Sequence, residues 1–433
     1  MYNGTESLAI RAGHLTIGGA DIPALAKKYG TPLIIYDECG IRKACGEYNA
    51  ALRKHYGENA LAAYAGKAFS VGAMYRILTE MDFGADVVSG GELYTAHRAG
   101  FDMGRIFYHG NNKTRAELAE GLDYGVGRFV ADNFEELKML EELCSARSTR
   151  ASVLIRVTPG IEAHTHAYIR TGQIDSKFGM AIETGAALEG VKLALSCPHL
   201  DYCGIHCHIG SQIFDTAPFA ETVKIMCGFI NTVRDVCGVE TRELNVGGGF
   251  GVQYTDEDTP HTPDEYIRVI CQALKAALVQ YDLPAPRLIL EPGRSIVAPY
   301  AVTVYTVGTV KNIPGCRTYV AVDGGMTDNP RYILYGAKYT FVVPERADEP
   351  KTMTVTVAGR NCESGDLLGE DVPLQEVHPG DLLCTLTTGA YCYSMASNYN
   401  RVPKPAVVMV REGEDRLIVR RESFEDLVRN DIF

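Results

Sequence analysis

The chain has 433 residues, 46% of them hydrophobic and 22% charged, enough to bury a large core and too many for a single small module. Its 42 Lys and Arg against 54 Asp and Glu leave a formal charge of −12 with no basic run, which argues against a nucleic-acid partner. Thirteen cysteines with no C-x-x-C pair read as free thiols of a reducing cytoplasm, and neither a signal-peptide core nor a window of roughly 20 apolar residues points to export or a membrane span.

Residues 1–30 are too few for a domain and are expected to join a neighbouring one. From about Ala60 to Gly293, short apolar runs alternate with amphipathic stretches, the pattern of repeated β-α units around a parallel sheet. Eight runs are predicted as strands: Leu61–Ala65, Ala85–Val88, Arg105–Tyr108, Gly127–Ala131, Val153–Val157, Cys203–His208, Leu244–Val246 and Arg287–Leu290. Eight units over this length suit a closed (β/α)8 TIM-type barrel, expected to span residues 31–298. Met74, Ile77, Leu78 and Met81 form an i, i+3, i+4, i+7 stripe, which predicts a helix after the first run. Thr114-x-x-Glu117 and Thr262-Pro263-Asp264-Glu265 read as capping boxes that open two more. Beyond Pro299 the texture changes to β-branched segments such as Ala301–Val310, Thr352–Val357, Leu382–Leu386, Val407–Val410 and Arg416–Arg420, separated by turns. This predicts a second, mostly antiparallel β domain over residues 299–433.

Barrel active sites form at the C-terminal ends of the strands. The eight runs end at Lys67, Asp86–Ser89, His109, Asp132, Arg156, His208, the Gly247-Gly248-Gly249 turn and Glu291, a set of titratable groups and glycines that packing does not require. A lone strand-end lysine ordinarily reaches to water. In a barrel mouth, however, an amine such as Lys67 can act as a carbonyl nucleophile. Consecutive glycines let backbone N–H groups approach a phosphate. Lysine and phosphate cradle together suggest pyridoxal 5'-phosphate (PLP). A rival reading takes His206-x-His208 and His164-x-His166 as metal ligands of a barrel hydrolase, but the sequence offers no obvious carboxylate to complete the sphere, and no metal is expected. Glu291-Pro292-Gly293-Arg294 places an acid and a base at the eighth strand end, while Cys362-Glu363-Ser364-Gly365-Asp366 and the tyrosines Tyr391, Tyr393 and Tyr399 read equally as a turn and as packing.

Taken together, Tyr64-Ala65-Gly66-Lys67-Ala68, Gly84 through Leu93, Asp175-Ser176-Lys177-Phe178-Gly179, His206 through Gln212, Glu291-Pro292-Gly293-Arg294, Asp328-Asn329-Pro330-Arg331 and Cys362 through Asp366 resemble, in order, the fold-type III PLP-dependent decarboxylases, and within them the diaminopimelate decarboxylase family. The resemblance implies that Lys67 holds PLP, that Glu291 faces the pyridine nitrogen and that His208 stacks on the ring. It also implies that Ser211, Gly249 and Arg294 surround the phosphate with Tyr391 closing over it, and that Asp86 and Arg156 orient lysine and cofactor. Arg294, Arg331, Tyr335, Glu363 and Tyr391 would meet the substrate, and Cys362 would protonate the carbanion. Phe69 departs from the family pattern, which usually has asparagine there, and affects the lining near Lys67. The implied activity is decarboxylation of meso-2,6-diaminopimelate to L-lysine and CO2 by a cytoplasmic homodimer with shared active sites. The alternatives are a decarboxylase of ornithine, arginine or carboxynorspermidine, a PLP carrier without turnover, and the metal-dependent hydrolase.

Overall fold

The structure is a computed structural model that describes residues 6–160 and 176–433; His164, His166 and Asp175 lie outside the described residues. Chain contacts divide it into two compact units, one of residues 44–251 and 260–293, the other of residues 1–43, 252–259 and 294–433.

The first unit is the barrel. Its eight parallel strands are Ala60–Ala65, Gly84–Val87, Ile106–Tyr108, Arg128–Ala131, Ala151–Thr158, Leu200–His206, Glu243–Asn245 and Arg287–Leu290. Each pairs with the next in chain order, and the eighth returns to the first through Leu288↔Ala60 and Leu290↔Ala62, so no edge remains. All eight expected strands are present, with small shifts. Arg105 ends a 3-10 turn before the third strand, and the sixth starts at Leu200 and stops at His206, two residues short of His208. Leu61, Ala63, Phe107, Val130, Leu154, Cys203 and Ile289 form one buried cluster drawn from six of the strands. Short apolar side chains fill a barrel this narrow, which makes it a core rather than a channel.

The helices begin where their caps predict. Thr114 and Glu117 exchange both capping-box hydrogen bonds at the head of Arg115–Tyr124, and Thr262 and Glu265 do the same at the head of Pro263–Tyr281, with Pro263 in the first turn where its missing N–H costs nothing. Met74, Ile77 and Leu78 are buried on the helix Gly72–Glu80, whose C-terminal cap is Met81.

The second unit is built on the long strand Ala301–Ile313, which pairs antiparallel with Arg317–Val322, with Leu382–Leu386 and with Leu33–Asp37. Leu33–Asp37 also runs parallel to Ala406–Arg411. This strand places residues 33–37 in the β unit, so the division falls within the helix Glu38–His55 rather than at residue 31. The reason is composition: Leu33, Ile34, Ile35 and Tyr36 are all fully buried, and a wholly apolar run fits a central strand covered on both faces. The N-terminal hairpin contributes Leu15 and Ile17 to the same core as Leu33, Ile35, Val302, Val304 and Val408. No helix among the described residues is long and apolar enough to cross a membrane.

Gly204 tests the barrel register. It sits at an irregularity in the pairing of the fifth and sixth strands, and a Cβ there would stand 1.9 Å from the Glu243 carbonyl oxygen. Because the obstacle is backbone, it cannot swing aside. Gly204→Ala is expected to cost roughly 1–3 kcal/mol or to abolish soluble expression; an unchanged urea midpoint would contradict the register.

Candidate active site

The strand ends of the barrel gather a polar group around one carboxylate. Glu291 follows the eighth strand, and its N–H donates to the Gly247 carbonyl at 2.8 Å. Its Oε1 accepts from Asn245 Nδ2 at 2.6 Å and from His109 Nε2 at 2.8 Å, and its Oε2 accepts from His206 Nε2 at 3.0 Å. Burial by itself would raise the Glu291 carboxyl, but His109 and His206 outweigh it and hold the group well below the usual carboxylate range. Asp86, on the second strand, is driven the other way by burial, and its Oδ1 has no hydrogen-bond partner among the described residues. Arg156, on the fifth strand, lies 3.7 Å from Asp132 Oδ1 and 4.3 Å from the Phe178 ring centroid. His208 Nδ1 accepts from the Gly248 N–H at 3.3 Å, and burial followed by the charges of Lys67 and Arg156 keeps that ring neutral.

Lys67 emerges in a 3-10 turn, Gly66–Ala68, directly after the first strand, and its side chain is exposed. Gly66 permits this turn, since a Cβ there would meet the Asp86 carbonyl at 2.7 Å. The seventh strand ends in Gly247 and Gly249 at φ +71° and +104°, where added Cβ atoms would meet the Cys207 and Gly210 carbonyls at 2.6 and 2.4 Å. Only glycine satisfies both the left-handed backbone and the close approach. Ser211, half-buried, lies in the neighbouring loop after the sixth strand. Phe69 is fully buried, and its carbonyl accepts from Tyr64 Oη at 3.2 Å, so the departing residue is packed into the core.

The β unit assembles a second group around Tyr391, held at φ +65°. The Arg294 guanidinium lies 4.9 Å from the Tyr391 ring centroid and donates to Tyr254 Oη at 2.6 Å. Arg331 lies 5.2 Å from the same ring and 5.3 Å from Tyr335, and its Nε donates to Tyr339 Oη at 2.9 Å. Aromatic faces and phenol oxygens stabilise the Arg331 guanidinium, and among the described residues no carboxylate forms an ion pair with it. Such an arginine is suited to an incoming anion. Cys362 and Glu363 lie on an exposed turn of the same unit. The Cys362 N–H donates to Asn400 Oδ1 at 2.8 Å, and buried Asp366 anchors the turn by accepting from the Asn361 N–H and Nδ2 and from the Met326 N–H.

Residues 41–298 match the pyridoxal-dependent decarboxylase family, pyridoxal binding domain. The chain is 49% identical over 420 residues to the diaminopimelate decarboxylase of Bacillus subtilis, covering 97% of this chain and 95% of that one. It is 46% identical over 432 residues to that of Halalkalibacterium halodurans, covering 100% and 98%. This chain belongs to the diaminopimelate decarboxylase family of pyridoxal-dependent decarboxylases. Among solved structures, the M. jannaschii diaminopimelate decarboxylase in complex with L-lysine superimposes with a TM-score of 0.91 at 34% identity, covering 99% of this chain and 98% of that one.

The barrel residues suit the cofactor that this family's name implies. An exposed amine, an ionised buried carboxylate, a neutral imidazole and a glycine cradle that any Cβ would fill are the donor set for an aldehyde, a pyridine nitrogen, a ring face and a phosphate. His206-x-His208, weighed as a metal pair, is divided: His206 turns to Glu291 and His208 to Gly248. The expectation that no carboxylate accompanies these histidines is corrected, because the closed barrel brings His109 and Glu291 to His206, with ligand-type atoms within 4.8 Å of one another. Sequence reasoning assigned no role to His109, Asn245, Tyr254 or Tyr339. His109 stands at a predicted strand end and was findable there; Asn245 lies inside the predicted run Leu244–Val246, and it and the two tyrosines carried no signal.

Proposed function

We propose that this chain decarboxylates meso-2,6-diaminopimelate at its D-centre to L-lysine and CO2, using pyridoxal phosphate bound through Lys67. The observation that carries the reading is the Tyr391 group, in which Arg294 and Arg331 flank one phenol ring and Arg331 has no carboxylate partner among the described residues. Diaminopimelate differs from lysine, ornithine and arginine by a carboxylate at its remote end, and that arrangement is a receptor for one. The cofactor supplies an electron sink for the pair left behind when CO2 departs.

Each residue then has a task. With the cofactor bound, Glu291 would accept the N–H of the pyridine ring, His208 would cover a ring face, and Ser211, Gly249, Arg294 and Tyr391 would hold the phosphate. Asp86 and Arg156 orient the lysine amine. Arg331 and Arg294 take the remote carboxylate, Tyr335 lines the pocket, and Glu363 accepts from the remote ammonium. Cys362 delivers the proton that replaces the carboxylate. Cys362 and Glu363 are exposed on a turn whose backbone is already fixed by Asn400 and Asp366, which supports a homodimer whose turn serves the partner's Lys67. All thirteen cysteines are free, in keeping with a cytoplasmic enzyme.

Borohydride reduction and peptide mapping are expected to place a pyridoxyl group on Lys67; label on another lysine would remove its role. CO2 release is expected to be about a thousandfold faster or more with meso-diaminopimelate than with L-lysine, L-ornithine or L-arginine, because those three bring no remote carboxylate to the buried Arg331 guanidinium. Arg331→Ala should narrow that gap, and equal turnover of any of the three would overturn the assignment. Mixing inactive Lys67→Ala with inactive Cys362→Ala subunits should restore part of the activity in hybrid dimers, whereas verified hybrids without recovery would place both residues in one chain's site.

A further inference from the structure

The tasks above leave the partners of Glu291 unused. His109, His206, Asn245 and Glu291 are each no more than 5% exposed, and they come from the ends of the third, sixth, seventh and eighth strands. The two imidazoles meet edge to face with centroids 4.6 Å apart. Asn245 is itself fixed, its Oδ1 accepting from the Gly247 N–H at 2.9 Å. Asp86 and Arg156 are the other charged neighbours of the group, with Lys67 and His208 beyond them.

Burial pushes His206 down to about 3, so the ring is neutral and carries one proton. With a carboxylate oxygen facing Nε2, the proton belongs there, which leaves Nδ1 as a bare lone pair. That matches its lack of a partner, since a buried acceptor is more tolerable than a buried N–H without one. A carboxylate offers roughly four acceptor positions, two on each oxygen. Oε1 spends both, on His109 and Asn245. Oε2 spends one, on His206. One position remains.

We propose that His109, His206 and Asn245 are positioning residues that hold Glu291 as a carboxylate with a single Oε2 lone pair left over, and that they thereby set the protonation of the cofactor's pyridine nitrogen. The inference rests on the reading that pyridoxal phosphate binds with that nitrogen at Glu291. Without the three donors, a carboxyl this buried would take up a proton and could only donate to the ring nitrogen, leaving the ring a weaker electron sink.

The test reconstitutes apoenzyme with pyridoxal phosphate carrying 15N in the ring and reads the 15N shift together with cofactor content and unfolding temperature. Wild type should give a protonated pyridinium signal. His109→Leu and His206→Leu should move it toward the unprotonated position and lower kcat about tenfold or more, the usual effect of a lost hydrogen bond to a charged group. His109→Gln and His206→Gln keep an N–H donor and should return the signal toward wild type. A merely structural role would lower the unfolding temperature and leave the 15N shift in place. Pyridinium signals that persist in both Leu variants would overturn the inference while leaving the cofactor reading intact. A wild-type protein that takes up no labelled cofactor on Lys67 would overturn the reading itself, and the inference with it.

Discussion

A carboxylate removed from water must be given its hydrogen bonds or lose its charge, and Glu291 is the place where this molecule meets that requirement. The donors cannot come from one strand, because neighbouring side chains on a strand alternate faces. They come from three others, and only a closed barrel can aim the ends of the third, sixth and seventh strands at the end of the eighth. Closure is therefore a condition of the charge. Asp86, one residue before its own strand end, shows the contrast: burial acts on it without comparable donors, and its carboxyl is pushed up.

The glycines around this carboxylate follow from the same crowding. Gly248 leaves only 2.0 Å between an imagined Cβ and the Glu291 carbonyl, and Gly293 only 2.8 Å from the Ala65 side chain. Strand ends converge so closely that side chains are excluded at these turns. Lys67 leaves the same rim on a 3-10 turn, which lifts it clear of the packed interior.

In the β unit the charge is handled by other means. Arg331 is buried and stabilised by phenol oxygens and ring faces instead of an acid. Permanent neutralisation by Asp or Glu would leave little for a ligand carboxylate to gain, whereas a guanidinium held by tyrosines keeps its charge available. The same unit keeps Cys362 and Glu363 on a turn held from beneath by Asp366, fixed in backbone yet open at the surface.

The sequence by itself determined the eight β-α units, the helix starts at Thr114 and Thr262, the change to β texture after Pro299 and the placement of Lys67 and Glu291 just after their strands, because periodicity, capping and turn chemistry are local. It did not reveal that Leu33–Asp37 leaves the barrel for the β unit, since a buried apolar run looks the same in either sheet until its partners are known. Nor did it reveal that His206 and His208, two residues apart, serve different groups, or that His109 and Asn245 join Glu291 across 182 and 46 residues of chain. Those pairings were decided by the tertiary structure, because a hydrogen bond to a buried charge is a matter of which strand ends meet, and strand ends meet only when the barrel closes.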